Sequence, residues 1–190
     1  MSTNRSAIWL MYAVCAVAIA CDSPTSGPLA PAASSAVGLA TSDAGRTMAS
    51  GHADIQGFTA QGNFIDQRYS FTAVSDGAFP LAKGQLQAHY LFDDQMIKVH
   101  ATVTCVSVVG NQAWVGARAK RVVIDGQEQP QAVGAPFVFR VVDMGEGHGV
   151  RDLATFLFPF VQDELAYCNT RPPVPPILLE SRNGNIQVKQ

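Results

Sequence analysis

The run Asp143-Met144-Gly145-Glu146-Gly147-His148-Gly149-Val150-Arg151-Asp152 holds the densest set of chemistry-bearing side chains in this sequence. Three carboxylates, Asp143, Glu146 and Asp152, sit among glycines that let a backbone turn its carbonyls inward. Such a set suits calcium, which takes about six to eight oxygen ligands. The spacing is not that of an EF-hand, and a glycine-rich turn whose acids bond the backbone is the preferred reading, with calcium the alternative. Glu146 and His148 as an acid and base pair would need a pocket around them. There is no GxSxG, HExxH, P-loop or GxGxxG motif, so no catalytic constellation is evident and a non-enzymatic protein is expected.

These side chains must be carried by strands, because alternation of apolar and polar residues runs through the sequence. Residues 68–74 (RYSFTAV) put Tyr69, Phe71 and Ala73 on one face. Residues 85–92 (QLQAHYLF) do the same with Leu86, Ala88, Tyr90 and Phe92. Residues 95–106 (QMIKVHATVTCV) follow with Ile97, Val99, Ala101, Val103 and Cys105. A two-residue hairpin closed by Asp93-Asp94 sets His89 opposite Lys98 and His100 opposite Gln87. The two histidines then lie diagonally on the polar face, within reach of each other. A third metal ligand is not evident, and His52 and His148 lie elsewhere in the sequence.

Residues 111–123 give a further strand with a slender face of Ala113, Val115, Ala117 and Ala119, and residues 136–144 one with Phe137, Phe139 and Val141. Residues 153–160 fit a buried or edge strand better than a helical turn. Residues 177–182 and 185–189 flank Asn183-Gly184, a strong hairpin signal, and residues 171–176 (RPPVPP) form a stiff connection. The pattern predicts an all-β domain, an antiparallel β-sandwich or small β-barrel of about 7–9 strands.

Ahead of this domain, Arg5 precedes thirteen apolar residues, 7–19 (AIWLMYAVCAVAI). A basic start, a short apolar stretch and small residues before Cys21 describe a secretory signal over residues 1–20. The stretch is too short for a spanning helix, which takes about 20 residues. Ala18-Ile19-Ala20-Cys21 resembles the lipobox of bacterial lipoprotein signals, with Ala18 where Leu is usual. That resemblance implies that Cys21 becomes a lipidated N-terminus, holding the protein on a membrane of the bacterial cell envelope, facing the periplasm or exterior. Ala18-x-Ala20 also satisfies the rule for plain secretion. Residues 21–50 then read as the lipidated Cys and a flexible tether of Ser, Ala, Thr, Gly and Pro with three charges, Asp22, Asp43 and Arg46, reaching about 30 Å. Residues 51–190 are the single β-domain.

The chain has 13 Lys and Arg against 15 Asp and Glu, and removal of the leader takes away only Arg5. A slightly acidic chain is no footprint for nucleic acid. In the densest basic cluster, strand alternation places Arg118 and Lys120 on one face and Arg121 on the other, a solvated surface. Cys15 leaves with the leader and Cys21 takes the lipid. Cys105 and Cys168 are then the two remaining thiols, and in an oxidising compartment they most simply form one disulfide.

Lys83-Gly84-Gln85, Val99-His100, Val103-Thr104, Gly110-Asn111-Gln112-Ala113, residues 142–147 (VDMGEG), Asp152 and residues 184–188 (GNIQV) occur in this order. From Gly51 onward the pattern resembles a group of small exported bacterial β-domains, found alone or attached to larger surface proteins, with no established activity. The resemblance implies a strand-rich fold and no particular chemistry. The expectation is a membrane-tethered, non-enzymatic binding or structural domain whose protein or ligand partner the residues do not name. A small envelope hydrolase and a barrel enclosing a small apolar ligand are the alternatives.

Overall fold

Alternating side chains build strands along most of the residues that the computed structural model describes: 45–59, 62–77, 79–159, 161–173 and 177–190. All of them fall in one unit, Ala40–Gln190. The leader, Cys21 and residues 22–44 lie outside the described residues. In chain order the elements are β1 (Thr47–Phe58), β2 (Phe64–Ser75), β3 (Lys83–Phe92), β4 (Gln95–Val109), β5 (Gln112–Ile124) and β6 (Gln127–Glu128). A 3-10 turn (Pro130–Ala132) leads to β7 (Pro136–Val142) and β8 (Leu153–Ala154), followed by α1 (Glu164–Thr170), β9 (Leu179–Glu180) and β10 (Asn185–Lys189). The ten strands form one antiparallel sheet in the order β10-β1-β2-β3-β4-β5-β7-β8-β9, with β6 beside β5. The fold is all-β, as expected. It is one curled sheet rather than two stacked ones, with ten strands instead of seven to nine.

The curl follows from the inner face, where aromatic residues of strands far apart in the sheet meet. Phe139 on β7 packs edge-on against Tyr69 and Phe71 on β2, with ring centroids 5.1 and 5.0 Å apart. Ile55, Leu86, Val99 and Val115 complete a core that no water reaches. Burial of one such aromatic ring removes about 150–250 Å² from water. Residues 155–157 cross beside this core and satisfy its two polar members. The Tyr69 hydroxyl donates to the Thr155 carbonyl (3.1 Å), and the buried Gln67 side chain accepts from the Leu157 N–H (2.9 Å).

The β3–β4 hairpin has the register that its residues dictate, His89 opposite Lys98 and Gln87 opposite His100. Asp93 and Asp94 both take positive φ (46° and 64°), the twist-compatible two-residue turn. Elsewhere the alternation is interrupted. Two bulges break the β4–β5 ladder, with Lys120 extra on β5 and Thr104 extra on β4. An extra residue moves everything after it to the other face. Arg121 therefore joins Lys120 in solvent, contrary to simple alternation. Cys105 leaves the face of Val99 and Val103 and joins a second cluster with Trp114, Val138, Tyr167 and Cys168.

Three further expectations change. β1 starts at Thr47, four residues inside the segment read as tether. Asn183-Gly184 does not close a hairpin, because β9 pairs with β8 while β10 pairs with β1. Gly184 is a corner pressed onto β1, where an added Cβ would sit 2.3 Å from the His52 carbonyl oxygen. Residues 153–160 supply the two-residue β8 and a bridge from Phe158 to Val138 rather than one long strand.

Candidate functional site

Asp143 and Asp152 act as substitutes for a strand. β10 bonds β1 along one edge, and its other edge faces the β7–β8 loop without a ladder. Asp152 Oδ2 accepts from the Ile186 N–H (2.7 Å) and Asp143 Oδ2 from the Val188 N–H (3.0 Å). Their other oxygens accept from Met144 and Gly145 N–H groups within the loop (2.9 and 2.8 Å). Two carboxylates thus stitch the open seam of the curled sheet, and charge-assisted bonds of this kind are about twice as strong as neutral ones. Glu146 and His148 are exposed, and Glu146 meets the Asn185 amide at 3.5 Å.

The turn reading, in which the acids bond the backbone, describes Asp143 and Asp152, and the alternative calcium set of Asp143, Glu146 and Asp152 is not assembled. Among the described residues no three His, Cys, Asp or Glu side chains gather as a metal site. The physical reason is that all four oxygens of the two aspartates already serve backbone donors. Millimolar calcium is accordingly expected to leave the melting temperature where a chelator leaves it. A rise with calcium that Asp143→Asn removes would restore the ion.

The outer face of β1–β5 is polar. His52, Asp54, Arg68, Gln87 and His89 border a depression of about 300 Å³ closed on one side by Asn183. Arg182, beyond the Asn183 corner, donates from Nε to Asp54 Oδ1 (3.1 Å) and from a terminal nitrogen to Asp66 Oδ1 (2.7 Å), and it also meets Gln56. These bonds raise the Arg182 pKa, the hydrogen bond to Asp54 first among causes. Arg68 adds a second contact to Asp54 at 3.3 Å. Exposed pairs of this type contribute about 0–1 kcal/mol each, so the network orders a surface more than it stabilises the fold. Lys98 separates His89 from direct pairing with His100, which faces Gln87 and Arg121.

The opposite part of the outer face, over β4, β5 and β7, is covered by α1. Asp163 caps this helix, accepting from Leu165 and Ala166 N–H groups (2.8 and 3.2 Å), and Arg171 ends it in the left-handed region at φ 51°. An Asp at the N-cap followed by Glu is a legible start signal. The alternation-based reading of the sequence missed it. The Cys105–Cys168 disulfide fastens the helix to β4 with 6.2 Å between Cα atoms. Gly116 lies opposite Cys105 and permits this approach, since a Cβ there would meet Cys105 Sγ at 2.6 Å and Glu164 Cβ at 2.8 Å.

Arg118 is tied down beneath the helix rather than left as a purely solvated strand residue. It grips the buried Glu164 with two bonds, one of 2.8 Å from a terminal nitrogen to Oε2, and the Thr104 hydroxyl donates to Oε1 at 3.3 Å. Glu164 is 2 % exposed and Arg118 is half-exposed. Arg118→Ala leaves a buried carboxylate without its cation, and a loss of about 1.5–3 kcal/mol in unfolding free energy is expected. Denaturant titration checks it, and an unchanged midpoint would show that water replaces the guanidinium at no cost.

Along the flank of α1 runs a cleft of about 410 Å³ whose walls include Val138, Phe158, Val161, Ala166, Tyr167 and Pro172. Tyr167 is buried, and its hydroxyl has no hydrogen-bond partner among the described residues. Burial pushes the Tyr167 phenol pKa up, and the nearby Arg140 charge pulls it part of the way back. Arg140 stacks over Trp114, 5.9 Å from the ring centroid, while the indole N–H donates to the Pro172 carbonyl (2.9 Å). By contrast, Tyr69 is shifted upward by burial inside the core, and Tyr90 is pushed up to about 12. No family model, no curated protein and no solved structure matches this chain.

Proposed function

We propose that the protein is an exported, lipid-anchored domain that binds a ligand or partner at the bacterial cell envelope and performs no catalysis. The leader-like residues 1–20 and Cys21 support the export and the anchor. The carrying observation is the Cys105–Cys168 disulfide, buried beneath α1 where it joins a helix to the sheet. A bond of this kind persists in oxidising compartments and is rare where thiols are kept reduced. For the binding role, the support is the distribution of space. The inner face of the sheet is filled by Tyr69, Phe71 and Phe139, whereas depressions lie on its outside. A ligand held inside the curled sheet is therefore disfavoured against one held on the outer surface.

Intact mass and fractionation test this reading. The protein from its native membrane should begin at Cys21 and carry the added mass of acyl chains, and Cys21→Ser should move it to the soluble fraction. A mature N-terminus elsewhere, without lipid, would overturn the anchor.

A further inference from the structure

We propose that the end of the sheet where the chain enters the domain docks on an anionic lipid surface, with Phe79 and Leu81 at headgroup level and Lys83 and Arg171 on the phosphates. The inference rests on the reading of this protein as lipid-anchored, and adds to it the face that meets the membrane.

Register defines that end. Thr47 at the start of β1 pairs with Ser75 at the finish of β2, and Lys83 at the start of β3 pairs with Val74. One step beyond them, Arg46 faces Asp76 at 3.9 Å and Leu81 bridges to Cys105 on β4. The described chain begins at Gly45, so whatever links Cys21 to the domain arrives here. A lipid on Cys21 therefore draws this end toward the bilayer, and not the turns at the other.

The side chains displayed here suit such a surface. Phe79 and Leu81 are 50 % and 56 % exposed, whereas Ala82 packs against the core. Leu81 and Lys83 thus share the outer face. Arg171, which ends α1, stacks over Phe79 at 5.6 Å and joins cation and aromatic ring in one patch. Neither Lys83 nor Arg171 has an acidic partner among the described residues. Exposed apolar groups rimmed by polar ones mark interaction surfaces, and adsorption to a bilayer grows with buried apolar area and with attraction to anionic lipids. Lys189, opposite Met48, adds a further exposed cation at this end. The acids there are Asp76, which faces Arg46, and Asp143, whose oxygens serve backbone N–H groups.

The far end supplies the contrast. Phe58 is 64 % exposed and packs edge-on against Phe64, so apolar exposure alone does not choose between the ends. Charge does. The turns beside that pair carry Asp93, Asp94 and Asp125 and hold no lysine or arginine, which an anionic surface repels.

The chain from residue 22 onward keeps the whole unit Ala40–Gln190 and lacks both the leader and Cys21. It should sediment with vesicles of equimolar phosphatidylglycerol and phosphatidylcholine, come off as salt screens the charges, and stay free when the vesicles are phosphatidylcholine alone. Lys83→Gln and Arg171→Gln should each weaken binding about five-fold, and Leu81→Ser by about the same factor. Phe58→Ser, at the far end, should change nothing. Melting temperatures of the variants verify their folding. Should a variant unfold, the unaltered chain decides, since a spin-labelled lipid must broaden the amide signals of Leu81, Lys83 and Arg171. No binding to the anionic vesicles, equal binding to both kinds, or broadening centred on Phe58 and Phe64 would each overturn the docking face. Binding of a chain without Cys21 owes nothing to acylation, and the intact mass of the native N-terminus reports the anchor by itself, so a failed anchor and a failed face are told apart.

Discussion

Loss of the Cys105–Cys168 disulfide should lower the melting temperature by about 10 °C. The bond closes a loop with a sequence separation of 63, and chain entropy alone assigns such a closure about 4 kcal/mol. For a domain of this size each kcal/mol moves the midpoint by about 2–4 °C. The effect should be read twice, by reductant on the natural chain and by the Cys105→Ala, Cys168→Ala double variant. Agreement between the two separates the cross-link from side effects of the reductant. The helix should loosen first, because Glu164, Tyr167 and Cys168 all reach the sheet through the residues that the bond holds in place. Reaction of both thiols with an alkylating agent in native, unreduced protein would refute the pairing.

Asp152→Ala is expected to cost about 2–6 kcal/mol, a large effect for a carboxylate at the protein surface layer. The side chain is 9 % exposed and serves two N–H donors, on Met144 and Ile186. Removing it strands both, at about 1–3 kcal/mol each. Amide exchange locates the damage, because Ile186 should lose protection while the β3–β4 hairpin keeps its own. Asp143→Ala should act in the same direction through Val188, more weakly since that residue is less buried. A variant whose Ile186 amide exchanges as slowly as before would mean that the seam is held by packing alone.

Strands β2, β3, β4, β5 and β7 are legible in their residues because large apolar side chains alternate with polar ones. β1 is not, since its inward positions include Ala49, Gly51, Ala53 and Gly57. They are small for a reason that only the assembled sheet reveals: a Cβ on Gly51 would lie 2.2 Å from the Asn185 carbonyl oxygen, and one on Gly57 would touch Leu179. The pairing of Cys105 with Cys168 follows from counting thiols, whereas the face that Cys105 occupies does not. The bulge at Thr104 has no local signature and reverses it. The same limit applies to Arg140 and Trp114, which come from separate strands and meet through register. The carboxylates at 143 and 152 were conspicuous as chemistry, yet their partners, Ile186 and Val188, are backbone groups, which composition cannot announce. Arg118 and Glu164 likewise come from separate elements, and nothing in either neighbourhood signals the other.

The pairing of β1 with β10, Met48 opposite Lys189, has a consequence for how the chain assembles as it emerges. β1 through β5 can zip up as successive hairpins, each needing only a short loop to close. The outer edge of β1 has no neighbour until almost the whole domain has been made. Loop length itself adds little to the entropy of that last step, because closure grows only with the logarithm of the span. Time is the greater exposure, since an unpaired edge is a template for strands of other chains. Substitutions in β10 are therefore expected to reduce yield through misassembly before they reduce the stability of the molecules that do finish.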